Sequence, residues 1–287
     1  LMRIPFRFRV LDVELGPPPR EVGFWYRPPR WDETYMHNAV KQFTHMRESG
    51  FNCLGTMCEC PIPRWVDGEI LLDFEELDKM MSNFQAGGLN GIVALDTRFL
   101  NGWCSTVARE LRRREKEGEE TTGEIKGEWK TQLRPFRDPL TDELYLEIIR
   151  RTVAHADEAG WPELLWYAHE EAYSRASPRF DALGYFTPLL RKAGVRTILI
   201  GNGPRYALDE VLDLGDLWEV RCYSHFTPET LERIRADGRE AWGFNFAANS
   251  RMAAGFYMDR LGLEGHIQWA YQWGSPFTGG DGRARAG

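Results

Sequence analysis

Two adjacent glutamates, Glu170 and Glu171, follow an apolar run and a histidine in the segment 161–174, WPELLWYAHEEAYS. The run 164–168 is typical of a buried strand, so both carboxylates and the imidazole of His169 stand at a strand end. Neighbouring carboxylates resist ionising together, which raises the pKa of one and leaves the other charged. A proton donor beside a carboxylate favours acid–base catalysis, and a solvated pair of loop glutamates is the alternative.

The composition limits the classes of function. A chain of 287 residues with 43% hydrophobic and 13% aromatic content can bury a large core, as one barrel or two modest domains. No apolar run approaches the roughly 20 residues of a membrane span, and no signal-like leader opens the chain. The net charge of −7 argues against a nucleic-acid partner, because the one basic cluster, 109–116, is interleaved with glutamates.

Cysteine and histidine spacing gives no metal or cofactor signature. The five cysteines are odd in number and lack framework spacing, so we predict free thiols, with a contact of Cys58 or Cys60 with Cys104 as the alternative. The six histidines form no HxH pair. A metal-dependent hydrolase would have to combine the dispersed residues His169, His225, His266 and Asp96, so we predict that the protein uses no metal and no cofactor.

A repeated unit organises the chain. Seven times, a helical stretch closes on a glycine that precedes a short apolar run, at Gly50, Gly88, Gly160, Gly194, Gly215, Gly238 and Gly262. With the opening run 21–26, this pattern gives eight strands alternating with helices, which favours parallel pairing and a (β/α)8 TIM barrel. An open doubly wound sheet usually has a glycine-rich turn after its first strand, and the sequence there is Tyr26-Arg27-Pro28-Pro29.

The boundaries follow from the breaks in this pattern. Residues 1–20 form a strand and linker segment, 21–275 the barrel, and 276–287 a tail that we expect to be flexible. The segment 6–15 is itself strand-like, so we expect a missing upstream part, and this leaves export and localisation open. Residues 97–140 exceed a usual βα loop and are predicted to be an insertion with a charged helix over 106–117, which either walls a cleft or is decoration.

In such barrels the chemistry lies at the carboxyl ends of the strands, where the βα loops converge. Those ends carry aromatic rings and hydrogen-bonding groups, which is typical of a carbohydrate site because a sugar offers an apolar face and a rim of hydroxyls. The predicted substrate-binding residues are Tyr26, Asp96, His169, Asn202, Tyr223, His225, Asn245, Trp269 and Tyr271.

Strand alternation separates catalysts from structural groups. On the fourth strand, Leu164, Trp166 and Ala168 form an apolar set, which leaves Tyr167, His169 and Glu171 on the inward face. Glu171 is therefore the predicted proton donor. Two polar pairs on later strands are predicted to lie inside the barrel as a structural network: Glu219 with Arg221, and His266 with Gln268.

A second catalytic carboxylate is absent from the seventh strand, which ends in Gly243-Phe244-Asn245-Phe246. An adjacent pair instead suits substrate assistance, in which the sugar's 2-acetamido oxygen is the nucleophile. Glu170 would orient the acetamido N–H and Glu171 would protonate the leaving oxygen. The apolar wall around the acetamido group would come from Trp269, Tyr271 and Tyr223, with a tyrosine hydroxyl or Asn245 holding its oxygen.

The sequence resembles the catalytic barrel of glycoside hydrolase family 123 over residues 21–275. The resemblance is carried by Gly23-Phe24-Trp25-Tyr26, by YAHEEAYS and by NSRMAAGFYMDRLGLEGHIQWAYQ, and the run FRFRVLDVEL resembles the end of the β-sandwich that precedes that barrel. It implies a retaining β-N-acetylhexosaminidase, with N-acetylgalactosamine favoured. Glu171 matches the family's acid, and Glu170 stands where the family has aspartate.

Two other functions stay open. A glycosidase acting on sugars without an acetamido group would use Glu171 as acid and Asp96 or Glu59 as the second carboxylate. A barrel that binds carbohydrate without turnover would leave the glutamate pair without a catalytic role. All three readings predict a carbohydrate ligand and exclude nucleic-acid and membrane partners, and a homo-oligomer is compatible with each.

Overall fold

The computed structural model describes residues 20–26, 33–56, 60–130, 134–169, 178–201, 215–221, 228–244 and 258–268. The strands, in chain order, are β1 (Glu21–Tyr26), β2 (Cys53–Thr56), β3 (Ile62–Val66), β4 (Glu69–Asp73), β5 (Val93–Asp96), β6 (Glu124–Ile125), β7 (Leu164–Tyr167), β8 (Ile198–Gly201), β9 (Leu217–Arg221), β10 (Glu240–Phe244) and β11 (Gly265–Gln268). The helices are α1 (Glu33–Glu48), α2 (Glu75–Ala86), α3 (Arg98–Glu117), α4 (Pro139–Ala159), α5 (Pro178–Lys192), α6 (Pro228–Ala236) and α7 (Met258–Leu261). Within these described ranges, none of the helices combines the length and apolar content that a membrane crossing requires.

Eight of the strands form one parallel barrel. Hydrogen-bonded neighbours follow the order β7, β5, β2, β1, β11, β10, β9 and β8. β7 meets β8 through a parallel bridge between Trp166 and Thr197, where the Trp166 amide donates to the Arg196 carbonyl at 2.9 Å. Each barrel strand therefore lies beside the barrel strands that precede and follow it in the chain, and the circle closes. The predicted (β/α)8 barrel is confirmed.

Most of the glycines that were predicted to end helices have the expected backbone. Gly160 has φ 65°, and its amide contacts the carbonyls of Ala156 and Asp157 to end α4. The same left-handed region is occupied by Gly50, Gly88, Gly194, Gly238 and Gly262. Gly215 is the exception, because no positive φ is found there. A Cβ at that position would lie 2.6 Å from Leu199 Cδ1, so close packing against β8 explains this glycine.

Side chains of the barrel strands alternate between two apolar cores. Leu54, Leu95, Trp166 and Ala168 belong to the larger core between the strands and the helices. The core inside the barrel is formed by Trp25, Cys53, Ile92, Ala94, Leu165, Tyr167, Ile198, Ile200, Leu217, Trp242, Phe244 and Ile267. This division agrees with the predicted alternation of the fourth barrel strand, which puts Trp166 and Ala168 outward and Tyr167 inward.

Two tryptophans inside the barrel lie on glycines of neighbouring strands. A Cβ on Gly55 would be 2.7 Å from the Trp25 ring, and a Cβ on Gly265 would be 2.4 Å from the Trp242 ring. Real Cβ contacts are longer than this, so each indole occupies space that only glycine leaves open. The interior is therefore filled by large rings packed against bare backbone.

The two longest βα connections together build a small antiparallel sheet in the order β4, β3 and β6. β3 and β4 form a hairpin whose turn has positive φ at Asp67 (51°) and Gly68 (90°). Trp65, Ile70 and Leu72 pack from this sheet onto the core beneath the helices. The predicted helix 106–117 is part of α3, which begins eight residues earlier at Arg98. The insertion thus includes the longer helix α3 and one strand of a sheet that the sequence analysis did not predict.

Gly55→Ala should lower the free energy of unfolding by about 1 to 3 kcal/mol, because the added methyl forces the Trp25 ring or β2 to shift. Urea denaturation followed by far-ultraviolet circular dichroism measures this loss.

Gly184→Ala is the matched control. Gly184 lies inside α5 with nothing within 4 Å of the added Cβ, so this change should stabilise the protein by about 0.5 to 1 kcal/mol. A Gly55→Ala protein as stable as wild type would contradict the packing of Trp25 on Gly55.

Candidate functional site

Three predicted site residues fall within the described part of the chain, namely Tyr26, Asp96 and His169. The other predicted residues lie outside it, and so does the alternative carboxylate Glu59. They are the two glutamates Glu170 and Glu171, together with Asn202, Tyr223, His225, Asn245, Trp269 and Tyr271. The candidate site is therefore built from the carboxyl ends of β1, β5 and β7 and from the start of α3.

An ion pair between Asp96 and Arg98 lies at the carboxyl end of β5. Arg98 Nε donates to both carboxylate oxygens at 2.9 and 2.8 Å, and Nη2 donates to Oδ2 at 2.5 Å. The Arg98 amide also donates to Oδ1 at 2.9 Å. The Asp96 side chain is fully buried and that of Arg98 is 8% exposed, so both charges are removed from water.

One aromatic ring lies beside this pair, and a second ring packs on the first. The Arg98 guanidinium lies 5.8 Å from the centre of the Tyr167 ring, and Tyr167 lies 5.3 Å from Trp25, ring centre to ring centre. Because Asp96 pairs in register with Tyr167, the carboxylate and the phenol ring stand at the same level of the barrel. Trp25 pairs with Gly55 and Gly55 with Ala94, and the stagger of the barrel across these two strands brings Trp25 to about the level of Asp96.

The first turn of α3 fixes the end of β7. The amide and the hydroxyl of Thr97 both donate to the Tyr167 carbonyl, at 2.8 and 3.0 Å. Asn101 Nδ2 donates to the next carbonyl, that of Ala168, at 2.8 Å. The hydroxyl of Thr97 has one proton, so the Tyr145 phenol 2.8 Å away must donate to it. Burial raises the pKa of Tyr145 well above its usual value, which keeps that proton in place.

His169 directly follows these two anchored carbonyls. It is 1% exposed and continues the inward alternation of Leu165 and Tyr167. The backbone that leads into Glu170 and Glu171 is therefore held in place by side chains of α3 and α4.

Tyr26 does not contribute to this site, and its predicted role in substrate binding is corrected. Its ring packs against Phe43 at 5.1 Å between ring centres, and its hydroxyl donates to Gln42 Oε1 at 2.8 Å. Both partners belong to α1, so Tyr26 lies between the barrel and the helices. The alternation of β1 places Trp25 inside instead.

Asp96 lies where predicted, but its carboxylate is occupied. Arg98 engages both oxygens and the Asp96 side chain is fully buried, so this carboxylate is already paired within the protein. Cys60 Sγ donates to the Asp96 carbonyl at 3.3 Å, which attaches the β2–β3 connection to the same strand end. Cys53, Cys60 and Cys104 are buried and form no disulfide within the part of the chain that the structure describes, as predicted for these three.

His266 and Gln268 are not inside the barrel. Ile267, between them, belongs to the interior core, so its two neighbours face the helices. Burial lowers the pKa of His266 to about 4, and its hydrogen bond with Gln268 opposes this shift. The pairing of these two residues was predicted, but on the wrong face. A metal site that uses His266 with Asp96 is therefore excluded by direction, and no group of three metal-ligating side chains occurs among the described residues.

Four residues of the site were not predicted from the sequence, namely Arg98, Thr97, Asn101 and Tyr145. Thr97 and Arg98 directly follow Asp96 at the end of the third barrel strand, and Asn101 comes about one helical turn later. An acid followed two residues later by arginine at a strand end was a readable signal. Tyr145 had none, because its partner Thr97 is 48 residues away in the chain.

Strand pairing and the polar carboxyl ends define the class of this protein as a (β/α)8 barrel with its candidate site at the usual face. No protein-family model and no curated protein matches the sequence.

Similar solved structures include an endo-1,4-β-mannanase from Rhizomucor miehei, at 11% identity and TM-score 0.45, covering 90% of this chain and 87% of that one. A 3-keto-D-glucoside 4-epimerase from E. coli has 12% identity and TM-score 0.41, with coverages of 88% and 91%. An N-acetylneuraminate lyase from Mycoplasma synoviae has 10% identity and TM-score 0.43, with coverages of 88% and 69%.

Arg98→Met should destabilise the protein by about 3 to 5 kcal/mol, because it leaves the Asp96 carboxylate buried without its partner. The double variant Asp96→Asn/Arg98→Met should recover part of this loss, since the uncompensated charge is gone. Urea denaturation at neutral pH measures both.

The control is Arg113→Met on the same helix, where the guanidinium is exposed and pairs with Glu110. Its effect should be far smaller than that of Arg98→Met. Equal losses from the two arginine variants would show that burial of the Asp96–Arg98 pair has no energetic consequence.

Stability should fall as the pH drops from about 6.5 towards 4. In this window the unfolded chain protonates His266, whereas the folded protein, with a pKa of about 4, does not. The loss is about 3 kcal/mol over the full window for this one group. Urea denaturation at several pH values measures it, and His266→Gln should flatten the slope in this range.

Proposed function

We propose that the protein is a retaining glycoside hydrolase that removes β-linked N-acetylhexosamine with assistance from the substrate's acetamido group. Glu171 is the general acid and Glu170 orients the acetamido N–H. The resemblance to glycoside hydrolase family 123 supports the same roles and favours N-acetylgalactosamine as the sugar.

The observation that carries this proposal is the anchoring of the β7 end. The carbonyls of Tyr167 and Ala168 accept hydrogen bonds from Thr97 and Asn101, two buried residues at the start of α3. Catalytic groups need fixed positions, because small displacements cost large factors in rate. The two glutamates follow this fixed backbone after one buried residue, which suits a catalytic pair better than a mobile surface pair.

The state of Asp96 favours the adjacent pair over the alternative with two separated carboxylates. A nucleophile or base must reach the reacting carbon or a water molecule. Asp96 is fully buried and engaged by Arg98 through both oxygens, so it is poorly placed for that role. This supports Glu171 with Glu170 over Glu171 with Asp96, whereas the other alternative carboxylate, Glu59, lies outside the described residues.

The proposed reaction has two steps. Glu171 gives its proton to the glycosidic oxygen as the C1–O bond breaks, and the acetamido oxygen forms a bond with C1 to give a cyclic oxazolinium intermediate. Glu170 accepts a hydrogen bond from the acetamido N–H. This contact aligns the acetamido oxygen with C1 and balances the positive charge of the oxazolinium ring. In the second step a water molecule attacks C1, and Glu171, now ionised, takes a proton from that water. The attack opens the oxazolinium ring and retains the configuration at C1.

Glu171→Gln should lower kcat by roughly a hundredfold to ten-thousandfold with little change in affinity, because the acid acts in the transition state. The measurement is turnover of aryl β-glycosides with and without the 2-acetamido group, alongside inhibition by a thiazoline that mimics the cyclic intermediate.

Glu170→Gln is the matched variant at the neighbouring position. It should reduce turnover of acetamido sugars far more than turnover of plain glycosides, because only the former need their N–H oriented. Equal losses on both substrates would contradict substrate assistance. Sugar binding by a wild-type protein without turnover would identify a binding barrel instead.

A further inference from the structure

The two tryptophans inside the barrel differ in one respect. Trp242 Nε1 donates to Glu240 Oε2 at 3.1 Å. Trp25 Nε1 is buried, and no acceptor for it occurs among the residues that the structure describes. Both rings are at most 2% exposed and both lie on a glycine of a neighbouring strand. The contrast therefore concerns the N–H group and not the packing of the ring.

A buried donor without an acceptor costs about 1 to 3 kcal/mol, since it gives up its hydrogen bond to water. Such groups are uncommon in folded proteins, and one at a functional site is a candidate for ligand contact. The Trp25 side chain has little room to rotate towards an acceptor. Its ring packs directly on the backbone of Gly55 on one side, and the centre of the Tyr167 ring lies 5.3 Å away on another.

The two indoles occupy different layers of the barrel interior. Through β11, the register of Trp242 reaches β1 at Glu21, four residues before Trp25. Through β9, β8, β7, β5 and β2, the same register reaches β1 four residues after Trp25, because the strands of a closed barrel are staggered. Trp25 therefore lies about one inward position closer to the carboxyl end than Trp242, in the layer of Asp96 and next to the mouth of the barrel.

We propose that the indole N–H of Trp25 donates a hydrogen bond to an oxygen of a sugar bound in the mouth of the barrel. The indole would be the floor of the sugar site, with its polar edge towards the ligand. An uncharged oxygen suits this donor, because the nearby charges of Asp96 and Arg98 already neutralise each other. This inference rests on the proposed function only in taking a sugar as the ligand.

The test uses protein labelled with ¹⁵N at the tryptophan indoles. The Trp25 signal is assigned as the one missing in Trp25→Phe, and the Trp242 signal as the one missing in Trp242→Phe. N-acetylgalactosamine, N-acetylglucosamine and galactose are then titrated separately. We expect at least one sugar to move the Trp25 indole signal in a saturable manner and to leave the Trp242 signal unchanged.

Affinity provides a second measurement. Trp25→Phe keeps an aromatic ring but removes the N–H, so it should bind that sugar roughly threefold to tenfold more weakly. Trp242→Phe makes the same replacement in a deeper layer of the barrel interior, where the indole N–H already has Glu240 as its acceptor, and should bind as wild type does. Wild-type affinity in Trp25→Phe would overturn the inference.

An unmoved Trp25 signal with every sugar would also overturn it, and would indicate that an internal water molecule accepts from the indole. Failure of the proposed function gives a different result. If a sugar shifts the Trp25 signal but no aryl glycoside is hydrolysed, the proposed hydrolase activity is wrong and the sugar contact of Trp25 stands. If aryl glycosides are hydrolysed but no sugar shifts the Trp25 signal, only the Trp25 contact is wrong.

Discussion

The hydrogen bonds that α3 makes to the last carbonyls of β7 are the constraint on which the candidate site depends. A strand that ends at the mouth of a barrel leaves carbonyl groups without partners, and buried carbonyls must be satisfied. Here Thr97 and Asn101 supply the donors, and the Tyr145 phenol in turn orients the Thr97 hydroxyl. The chain thus leaves the barrel in one fixed direction at His169, and whatever Glu170 and Glu171 do begins from that direction.

A second constraint comes from the barrel interior. Two indoles fill it, and glycines on adjacent strands make room for them. This packing leaves no wide space among the described interior residues, which favours the mouth, above Trp25, as the place for a ligand. The Asp96–Arg98 pair occupies part of that mouth. A buried ion pair seldom adds much stability compared with apolar groups of the same size. Its position is better explained by the hydrogen bonds of the Arg98 amide and guanidinium to the Asp96 carboxylate, which fix the start of α3 at the end of β5.

The barrel could be predicted from the sequence because short local patterns determine its strands and helices. Glycines after helices, short apolar runs and their alternation repeat often enough to fix eight units, and the inward position of Tyr167 follows from the same alternation. The Asp67–Gly68 hairpin was also written locally and was overlooked. Side-chain partners were harder to predict. Asp96 was expected to face a ligand but faces Arg98, and Tyr26 and His266 were assigned to the wrong face. Such errors arise because residue type alone does not show whether a polar side chain contacts a ligand or bonds to a residue of a neighbouring helix.

The two faces of the barrel use hydrogen bonds in opposite ways. At the amino ends, side-chain oxygens accept from the first amides of neighbouring strands: Asp216 from Thr197, Glu264 from Ala241, Glu21 from Ile92 and Asn52 from Val22. Arg196 links Glu163 and Glu240 across the same face. These contacts tie strand to strand, so they set the register of the barrel. At the carboxyl ends of β5 and β7 the donors come instead from the start of α3, the helix that follows β5, and the ion pair stays within that connection. A substitution at the carboxyl ends can therefore alter the mouth of the barrel without altering the strand register. This makes the carboxyl face the suitable place for a functional site.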